Sequence, residues 1–271
     1  MKKEIILTVA HKEFDSSKID SSCYKVIAVG GHDNIKHDYL DSIGDNIAIK
    51  NPTWCELTAM YWGYKNIKNV DIMGLVHYRR YFSKNAYSKH PYKYILNGKE
   101  IESILTKKKV ILPAYYKKGV GNKRINLDDN VNSYNLNVLY KILEKKNLKY
   151  AKIFYEIAKS DWLCGGNMFI SSKKDYDEFC EFLFPILNEF ERILLDDNKM
   201  TPRMVGYVSE YLANVYFVAK YSEKEIARYD VVNTELYVPN SFKYLLTKLH
   251  LIKIIKRIKH KDLQQIMNLH N

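Results

Sequence analysis

A histidine and two arginines that follow a short apolar segment are the strongest candidates for chemistry in this sequence. Residues 72–76 have the composition of a buried strand, and His77, Arg79 and Arg80 follow directly. An arginine side chain binds phosphate oxygens through two parallel hydrogen bonds, and fixed cations stabilise negative charge that develops during a reaction. The pattern therefore predicts a phosphate-binding site, although arginines that pair with surface acids would look the same.

The backbone of this segment determines which of its side chains can act together. If the chain stays extended, His77 and Arg79 lie on one face and Tyr78 and Arg80 on the other. The ring of Tyr78 can then stack on a nucleotide base or a sugar, although tyrosine is also common in protein cores.

Two carboxylates are candidates for a general base. On a helix, Glu210 shares a face with Tyr207, and Tyr207 shares one with Arg203. A carboxylate at position 210 could remove a proton from an acceptor hydroxyl or could be the buried partner of an arginine, and the sequence favours neither. Asp161 is the second candidate because it precedes a glycine pair at 165–166 that permits close approach of a ligand or forms a tight turn.

The sequence leaves metal dependence open. No Asp-x-Asp pair follows a predicted strand, and the acidic pairs at 128–129 and 196–197 lie in polar stretches typical of solvated turns and helix caps. A site that binds Mn²⁺ or Mg²⁺ and a site that relies on cationic side chains are both compatible with this pattern. The missing Asp-x-Asp pair favours the second.

Alternating strand-like and helix-like segments determine where these side chains can meet. Strands are predicted at 4–10, 24–30, 72–76 and 110–113, within 162–171 and within 226–238, and helices at 53–66, 99–107, 136–159, 173–195 and 201–221. Thr53 and Glu56 are predicted to form a capping box at the start of the first helix. The alternation predicts an α/β fold with a mostly parallel sheet flanked by helices. A ligand then lies beyond the carboxyl ends of the strands, where His11, residues 30–31 and residues 77–80 occur.

The net charge of +12 is unevenly distributed along the chain. Residues 241–271 contain seven Lys/Arg and one acidic residue, and therefore carry half of the net charge. Apolar residues recur there every three or four positions, which predicts a basic amphipathic helix that lies on an anionic membrane or docks on protein. We expect membrane contact through residues 242–261. We expect no nucleic-acid binding, because nucleic-acid binders more often spread their charge over the folded body.

The start of the sequence does not have the pattern of a secretory signal. Its apolar run is short, and no apolar stretch approaches the about 20 residues that a spanning helix requires. Four cysteines show neither a Cys-x-x-Cys pair nor metal-ligand spacing. We therefore expect a cytoplasmic protein with reduced thiols, one domain over residues 1–240, and a separate tail over residues 241–271.

Several short motifs in a fixed order carry a family resemblance between about residue 5 and residue 216. They are residues 8–12 (TVAHK), 44–47 (GDNI), 50–52 (KNP), 55–59 (CELTA), 61–62 (YW), 65–66 (KN), 74–82 (GLVHYRRYF), 167–170 (NMFI) and 206–210 (GYVSE). In this combination the sequence resembles the DUF4422 group of capsular and exopolysaccharide glycosyltransferases. No single motif would be specific enough to support that resemblance.

The resemblance implies a GT-A-like, Rossmann-like fold and a UDP-sugar donor, with galactofuranose or galactose as the sugar. The donor-binding residues implied or expected are His11, Asp45, Asn46, Asn51, Tyr78 and Asn167. His77, Arg79 and Arg80 are expected near the diphosphate or the sugar. Glu210 is expected at the reaction centre as the base, with Asp161 as the alternative.

The expected function is transfer of a hexose to a lipid-linked oligosaccharide during capsule or O-antigen assembly, by an inverting displacement. The enzyme would then work as a peripheral protein on the inner face of the cell membrane. Two other classes stay open: a non-catalytic scaffold of a polysaccharide synthase and, with less support, a basic nucleic-acid-binding protein.

Overall fold

The computed structural model describes residues 2–117, 131–160, 162–163, 165–236 and 239–248. The strands β1 to β10 are Glu4–Ala10, Tyr24–Ala28, Tyr39–Leu40, Ile72–His77, Arg80–Ser83, Val110–Pro113, Tyr116–Lys117, Trp162–Leu163, Phe169–Ser172 and Ile226–Asn233. The helices α1 to α8 are Asn51–Trp54, Leu57–Asn66, Gly98–Leu105, Ser133–Lys146, Leu148–Lys159, Lys173–Asp196, Met204–Lys220 and Ser241–Lys248. The predicted mixture of strands and helices is therefore confirmed.

Eight of the strands form one sheet in the order β3-β2-β1-β4-β5-β10-β6-β9, and β9 also pairs with β4. Strands β3, β2, β1 and β4 run parallel to one another. Strands β4, β5, β10, β6 and β9 form a closed ring in which only β10 and β6 are parallel. The expectation of a mostly parallel sheet therefore holds for the amino-terminal part and is wrong for the ring.

The antiparallel part of the sheet has a local cause. Only Tyr78 and Arg79 separate β4 from β5, and a two-residue connection can join only antiparallel strands. Strand β9 pairs with the same edge of β4 as β5 does. There, a Cβ atom added to Gly74 would lie 2.7 Å from the backbone oxygen of Phe169 in β9. Glycine at position 74 thus permits the close approach of β9, which closes the ring.

The core lies on both faces of the sheet. Leu7, Met73 and Leu75 point towards a large apolar cluster shared with α2, α4, α5, α6 and α7. Ile6 and Ile72 point to the opposite face of the sheet, towards a smaller cluster that α3 covers. The alternation along β1 and β4 explains why these strands read as continuous apolar runs.

The helix predicted at 53–66 is interrupted, and the interruption positions the candidate site. Helix α1 ends at Trp54, the next residue Cys55 has a φ of 51° and a ψ of −130° that lie outside the helical region, and α2 begins at Leu57. The predicted capping box is wrong, because the Thr53 hydroxyl donates to Lys50 and the Glu56 carboxylate accepts from Asn167. The chain bends here so that Glu56 turns towards α7 and the loop before β9.

The predicted tail lies mostly outside the described residues. Its first part forms α8, where Phe242 is 72% exposed and Leu245 is 51% exposed. Among the helices that the structure describes, none combines the length and the apolar composition that crossing a bilayer requires.

Candidate functional site

The candidate site is the region at the carboxyl ends of β1, β2 and β4, which we call the crevice. His11 follows β1, and its ring centre is 6.0 Å from that of His32 and 5.2 Å from that of Tyr78. Gly30 follows β2 and has a φ of +68°. Parallel α/β sheets bind ligands beyond these strand ends, and ligand binding at this location stays a prediction.

The imidazole of His77 is fixed in the wall of this crevice. Its Nε2 atom lies 2.6 Å from the backbone oxygen of Gly166. A carbonyl oxygen can only accept, so Nε2 carries the proton and Nδ1 is left as an acceptor. Burial lowers the pKa of His77, and the nearby charges of Arg80 and Arg79 lower it further, against the effect of Glu56. His77 is therefore neutral at neutral pH and does not supply a positive charge.

Glu210 is a half-buried carboxylate in the same wall. Burial, and then the charge of Glu56, raise its pKa to about 7, while the Gly166 amide, Arg80 and Arg203 favour the ionised form. A general base works best when its pKa is close to the working pH. Of the two roles that the sequence left open for Glu210, the surroundings of the carboxylate fit the base, and this role stays a prediction.

Asn167 joins the three segments that meet at this point. Its Nδ2 atom donates to Glu56 Oε1 at 2.7 Å and to the Gly206 oxygen at 3.2 Å, and its Oδ1 atom accepts from Ser209 Oγ at 3.0 Å. The residue is 2% exposed and has a φ of 50°. Asn167 therefore orients Glu56 rather than facing open solvent, and a contact with a donor, which the sequence predicted, is not tested.

Backbone strain concentrates at the same junction. Four non-glycine residues in the described ranges have positive φ, and Cys55, Asn167 and Arg203 are three of them. The Arg203 amide donates to the Pro52 oxygen at 2.9 Å, and a Cβ on Gly206 would lie 3.2 Å from Cys55 Sγ. Such conformations are costly and cluster at functional sites. The start of α7 is thus held tightly against the bend between α1 and α2.

The two predicted arginines have different surroundings. The guanidinium of Arg79 donates to Glu235 at 3.2 Å, and Lys12 binds the other oxygen of the same carboxylate at 2.8 Å. Arg80 lies opposite His77 in the backbone pairing of β4 and β5. Its side chain makes no ion pair within 4 Å with any residue that the structure describes. The extended geometry assumed for the segment is wrong, because the chain reverses at Tyr78 and Arg79.

Tyr78 belongs to the packing beneath the crevice. It is 4% exposed and packs among Ala10, Val26 and neighbouring apolar residues. Lys12 and Arg79 lie over its ring, 5.4 Å and 5.5 Å from the centre. The ring therefore supports the cations at the crevice edge and leaves little surface for stacking on a donor.

Asn51 connects the turn after β2 to the bend after α1. Its Nδ2 atom donates to the Cys55 oxygen at 3.0 Å and to Thr58 Oγ1 at 3.1 Å, and Thr58 donates to Asp41 at 2.6 Å. A Cβ on Gly30 would lie 2.6 Å from Asn51 Oδ1. The structure thus places Asn51 at the crevice wall, where nucleotide binding stays a prediction.

Asp45 and Asn46 lie in an exposed turn apart from these residues. The Asp45 amide donates to Asn66 at 3.2 Å, and the Asn46 side chain binds the oxygens of Ser42 and Gly44. A Cβ on Gly44 would lie 2.5 Å from Asn66 Oδ1, so this turn requires its glycine. In the described structure no hydrogen bond links the two side chains to the residues around Glu210, and their donor-binding role is untested.

The carboxylate alternatives give no metal centre in the part of the chain that is described. Asp161 and the acidic pair 128–129 lie outside the described residues. Asp196 pairs with Arg192 at 2.9 Å, and Tyr134 donates to Asp197. The acidic pair 196–197 thus lies at the end of α6, as the sequence favoured. Across the described residues no three His, Cys, Asp or Glu side chains converge as metal ligands.

Two residues of this site were not among the predicted ones, Glu56 and Arg203. Glu56 stands inside the 55–59 motif, but the capping-box interpretation assigned its side chain to the helix start. Arg203 stands one helical turn before Tyr207, and its guanidinium lies 5.2 Å from the centre of that ring. The predicted face of positions 203, 207 and 210 was the signal for Arg203, and only the fold shows that this segment packs against the bend after α1.

Comparisons with known proteins agree with this architecture. No curated protein matches the chain. A solved structure of WbbM, described as a bifunctional glycosyltransferase in its apo form, has the same fold with a TM-score of 0.70 and 22% identity. The alignment covers 88% of this chain and 46% of that protein, so the chain spans about half of its length. The profile of a family described as "Domain of unknown function (DUF4422)" matches residues 5–221, and the chain belongs to that family.

Proposed function

We propose that this protein is a glycosyltransferase that moves a hexose from a UDP-sugar to a lipid-linked glycan. The sugar favoured is galactofuranose or galactose, and the process favoured is capsule or O-antigen assembly. The observation that carries the proposal is Glu210, a carboxylate with a pKa of about 7 beside Arg80 and Arg203 in a crevice at strand ends. The shared fold with WbbM, which is described as a glycosyltransferase, supports the reaction class.

The proposed reaction is a direct displacement that inverts the anomeric carbon. An acceptor hydroxyl attacks that carbon, and its proton passes to Glu210 as the new carbon–oxygen bond forms. The bond between the sugar and the diphosphate breaks, and the electron pair leaves with the diphosphate oxygen. The Gly166 amide donates to the Glu210 carboxylate and the same loop holds His77, so the base is kept in one position as the charge moves.

The negative charge that develops on UDP requires positive groups in fixed positions. Arg80 has this role in the proposal, because Arg79 is already paired with Glu235 and His77 is neutral. A fixed cation stabilises the departing oxygen without reorganisation at the moment of reaction. His77 is instead proposed to orient the Gly166 loop, which differs from the cationic role expected from its type alone.

A divalent metal is not assigned a place in this mechanism. Many reactions of this class use Mn²⁺ or Mg²⁺ to neutralise a diphosphate. The described carboxylates and imidazoles do not form a set of three ligands, so no metal site completed by the protein alone is assigned. No step of the proposed reaction is therefore assigned to a metal.

Release of UDP from a panel of UDP-sugars, with and without Mn²⁺, tests the proposal. We expect slow release from one or two donors and little from the others, because a crevice that holds one sugar excludes its epimers. Absence of release from every donor, with UDP still bound, would instead identify a non-catalytic scaffold. Absence of both would remove the proposed donor class.

The tail is proposed to hold the enzyme on an anionic membrane surface, where a lipid-linked acceptor is found. Phe242 and Leu245 are exposed in α8, and the sequence continues with a strongly basic segment. Each basic residue close to an anionic surface adds about 1 kcal/mol of binding.

Vesicle sedimentation tests this part of the proposal on the full-length chain. We expect binding to vesicles with phosphatidylglycerol and loss of binding in phosphatidylcholine alone. A variant with Gln in place of the basic residues Lys253, Lys256, Arg257 and Lys259 should lose most of the binding. Equal binding of wild type and variant to the anionic vesicles would contradict the role of the tail.

A further inference from the structure

We infer that Arg203, at the start of α7, binds the diphosphate of the donor together with Arg80. This assignment rests on the function proposed above and deepens it, because it adds a cation that lies outside the strand-end segment. It also reduces the role of Arg79, whose charge is taken up by Glu235.

The position of Arg203 is fixed by its backbone. Its φ of 65° is unfavourable for a residue with a side chain, and glycine would adopt this conformation more readily. The conformation is kept because the Arg203 amide donates to Pro52 at 2.9 Å and Gly206 packs against Cys55. Strain of this kind persists where the position of a side chain matters.

The guanidinium is held over the face of α7 that carries the proposed base. It lies 5.2 Å from the ring centre of Tyr207 and beside the thiol of Cys55. Arg203 directly precedes α7 in a left-handed backbone conformation, and Glu210 follows in the second turn of that helix.

The charge of Arg203 is not neutralised by a partner in the described part of the chain. It forms no ion pair within 4 Å there, whereas the carboxylate of Glu235 binds Lys12 and Arg79. Burial is the largest cause that lowers the pKa of His11, and Arg203 is among the nearby cations that add to it; burial is also the largest cause that raises the pKa of Glu210, and Arg203 acts against it. An exposed cation between these two groups is placed to receive an anionic ligand.

Open space adjoins this position. Pro202 and Met204, the neighbours of Arg203 in sequence, line a cleft of about 580 Å³ whose other wall includes Tyr134 and Lys199. That volume is within the range of about 300 to 1,000 Å³ of sites that bind small molecules. Arg203 itself is not among the residues that line this cleft, so the cleft lies beside the start of α7 and does not by itself define where a ligand binds.

The test compares the affinity of the protein for UDP and for uridine by isothermal titration calorimetry. Uridine lacks the diphosphate, so the ratio of the two dissociation constants reports the phosphate contacts alone. We expect Arg203→Gln to weaken UDP binding by about 10- to 100-fold and to leave uridine binding unchanged, since a hydrogen bond to a charged group is lost. Arg203→Lys should recover part of the loss because it restores the charge.

Arg192→Gln is the matched control, because Arg192 is an exposed arginine that pairs with Asp196 on α6. It should change neither affinity. Unchanged UDP binding in Arg203→Gln, or an equal loss of UDP and uridine binding, would overturn the assignment and leave the proposed function standing. A wild-type protein that binds UDP no better than uridine would overturn the proposed donor as well.

Discussion

The two ends of the crevice hold positive charge in different ways. At one end, Lys12 and Arg79 share the carboxylate of Glu235, and all three side chains are about one third or more exposed. At the other end, Arg80 and Arg203 lie near Glu210 without an ion pair in the described structure, and the backbone of Arg203 is strained. The first end resembles an ordinary surface ion pair, and the second resembles a preorganised binding site for an anion.

The difference shows why residue types alone misjudge which cations act. Exposed ion pairs contribute about 0 to 1 kcal/mol and are screened by salt, so such an arginine is largely occupied and replaceable. A cation kept beside a half-buried carboxylate at a strained junction costs folding free energy, and such arrangements are typical of functional sites. The adjacent arginines in the sequence therefore have unequal expected roles.

Removing the base should give the largest effect. We expect Glu210→Gln to reduce turnover by about 10²- to 10⁴-fold, because the hydroxyl of the glycan acceptor then lacks the carboxylate that takes its proton. Wild-type turnover should rise with pH through about 7, following the pKa of Glu210. Steady-state kinetics across pH measure both quantities.

Stability gives an independent control for the same residue. A carboxylate whose pKa is raised in the folded state makes the fold less stable as pH rises from about 4.5 towards 7. Glu210→Gln should remove that part of the pH dependence, whereas Glu181→Gln on the exposed side of α6 should change neither stability nor turnover. A Glu210→Gln variant with wild-type turnover would contradict the assignment of the base.

The second effect distinguishes the two strand-end arginines. We expect Arg80→Gln to lower turnover by about 10²-fold, as loss of one group that stabilises developing charge does elsewhere. Arg79→Gln should cost less than about 5-fold, since its charge is already paired. UDP release under saturating donor measures both variants side by side, and equal losses would show that the ion pair with Glu235 opens when substrate binds.

The smallest effect is a change of pH profile. Because the charge of Glu56 raises the pKa of Glu210, Glu56→Gln should move the acidic limb of the pH–rate curve to lower pH. Glutamine keeps an oxygen that can accept from Asn167, so folding should be retained. A limb that stays in place, in a folded variant, would show that Glu56 does not act on the base.

Much of the fold follows from local sequence patterns. The apolar runs at 4–10 and 72–76, the strand at 110–113 and the amphipathic pattern at 173–195 correspond closely to β1, β4, β6 and α6. Other predictions failed where a distant contact decides the conformation. The bend at Cys55 is one case, since Gly206 and Asn167 from far along the chain hold it in place.

The sequence by itself predicted most of the long strands and helices, showed that a cluster of cationic side chains follows a buried strand, and indicated which family the chain resembles. These features depend on composition and periodicity over a few neighbouring residues. Tertiary structure decided that the ring of strands is antiparallel, that Arg79 is occupied by Glu235, and that Glu56 and Arg203 stand beside Glu210. The physical reason is that charge pairing and burial depend on groups more than 100 residues apart, such as Asn167 and Glu56, and such distances leave no local pattern.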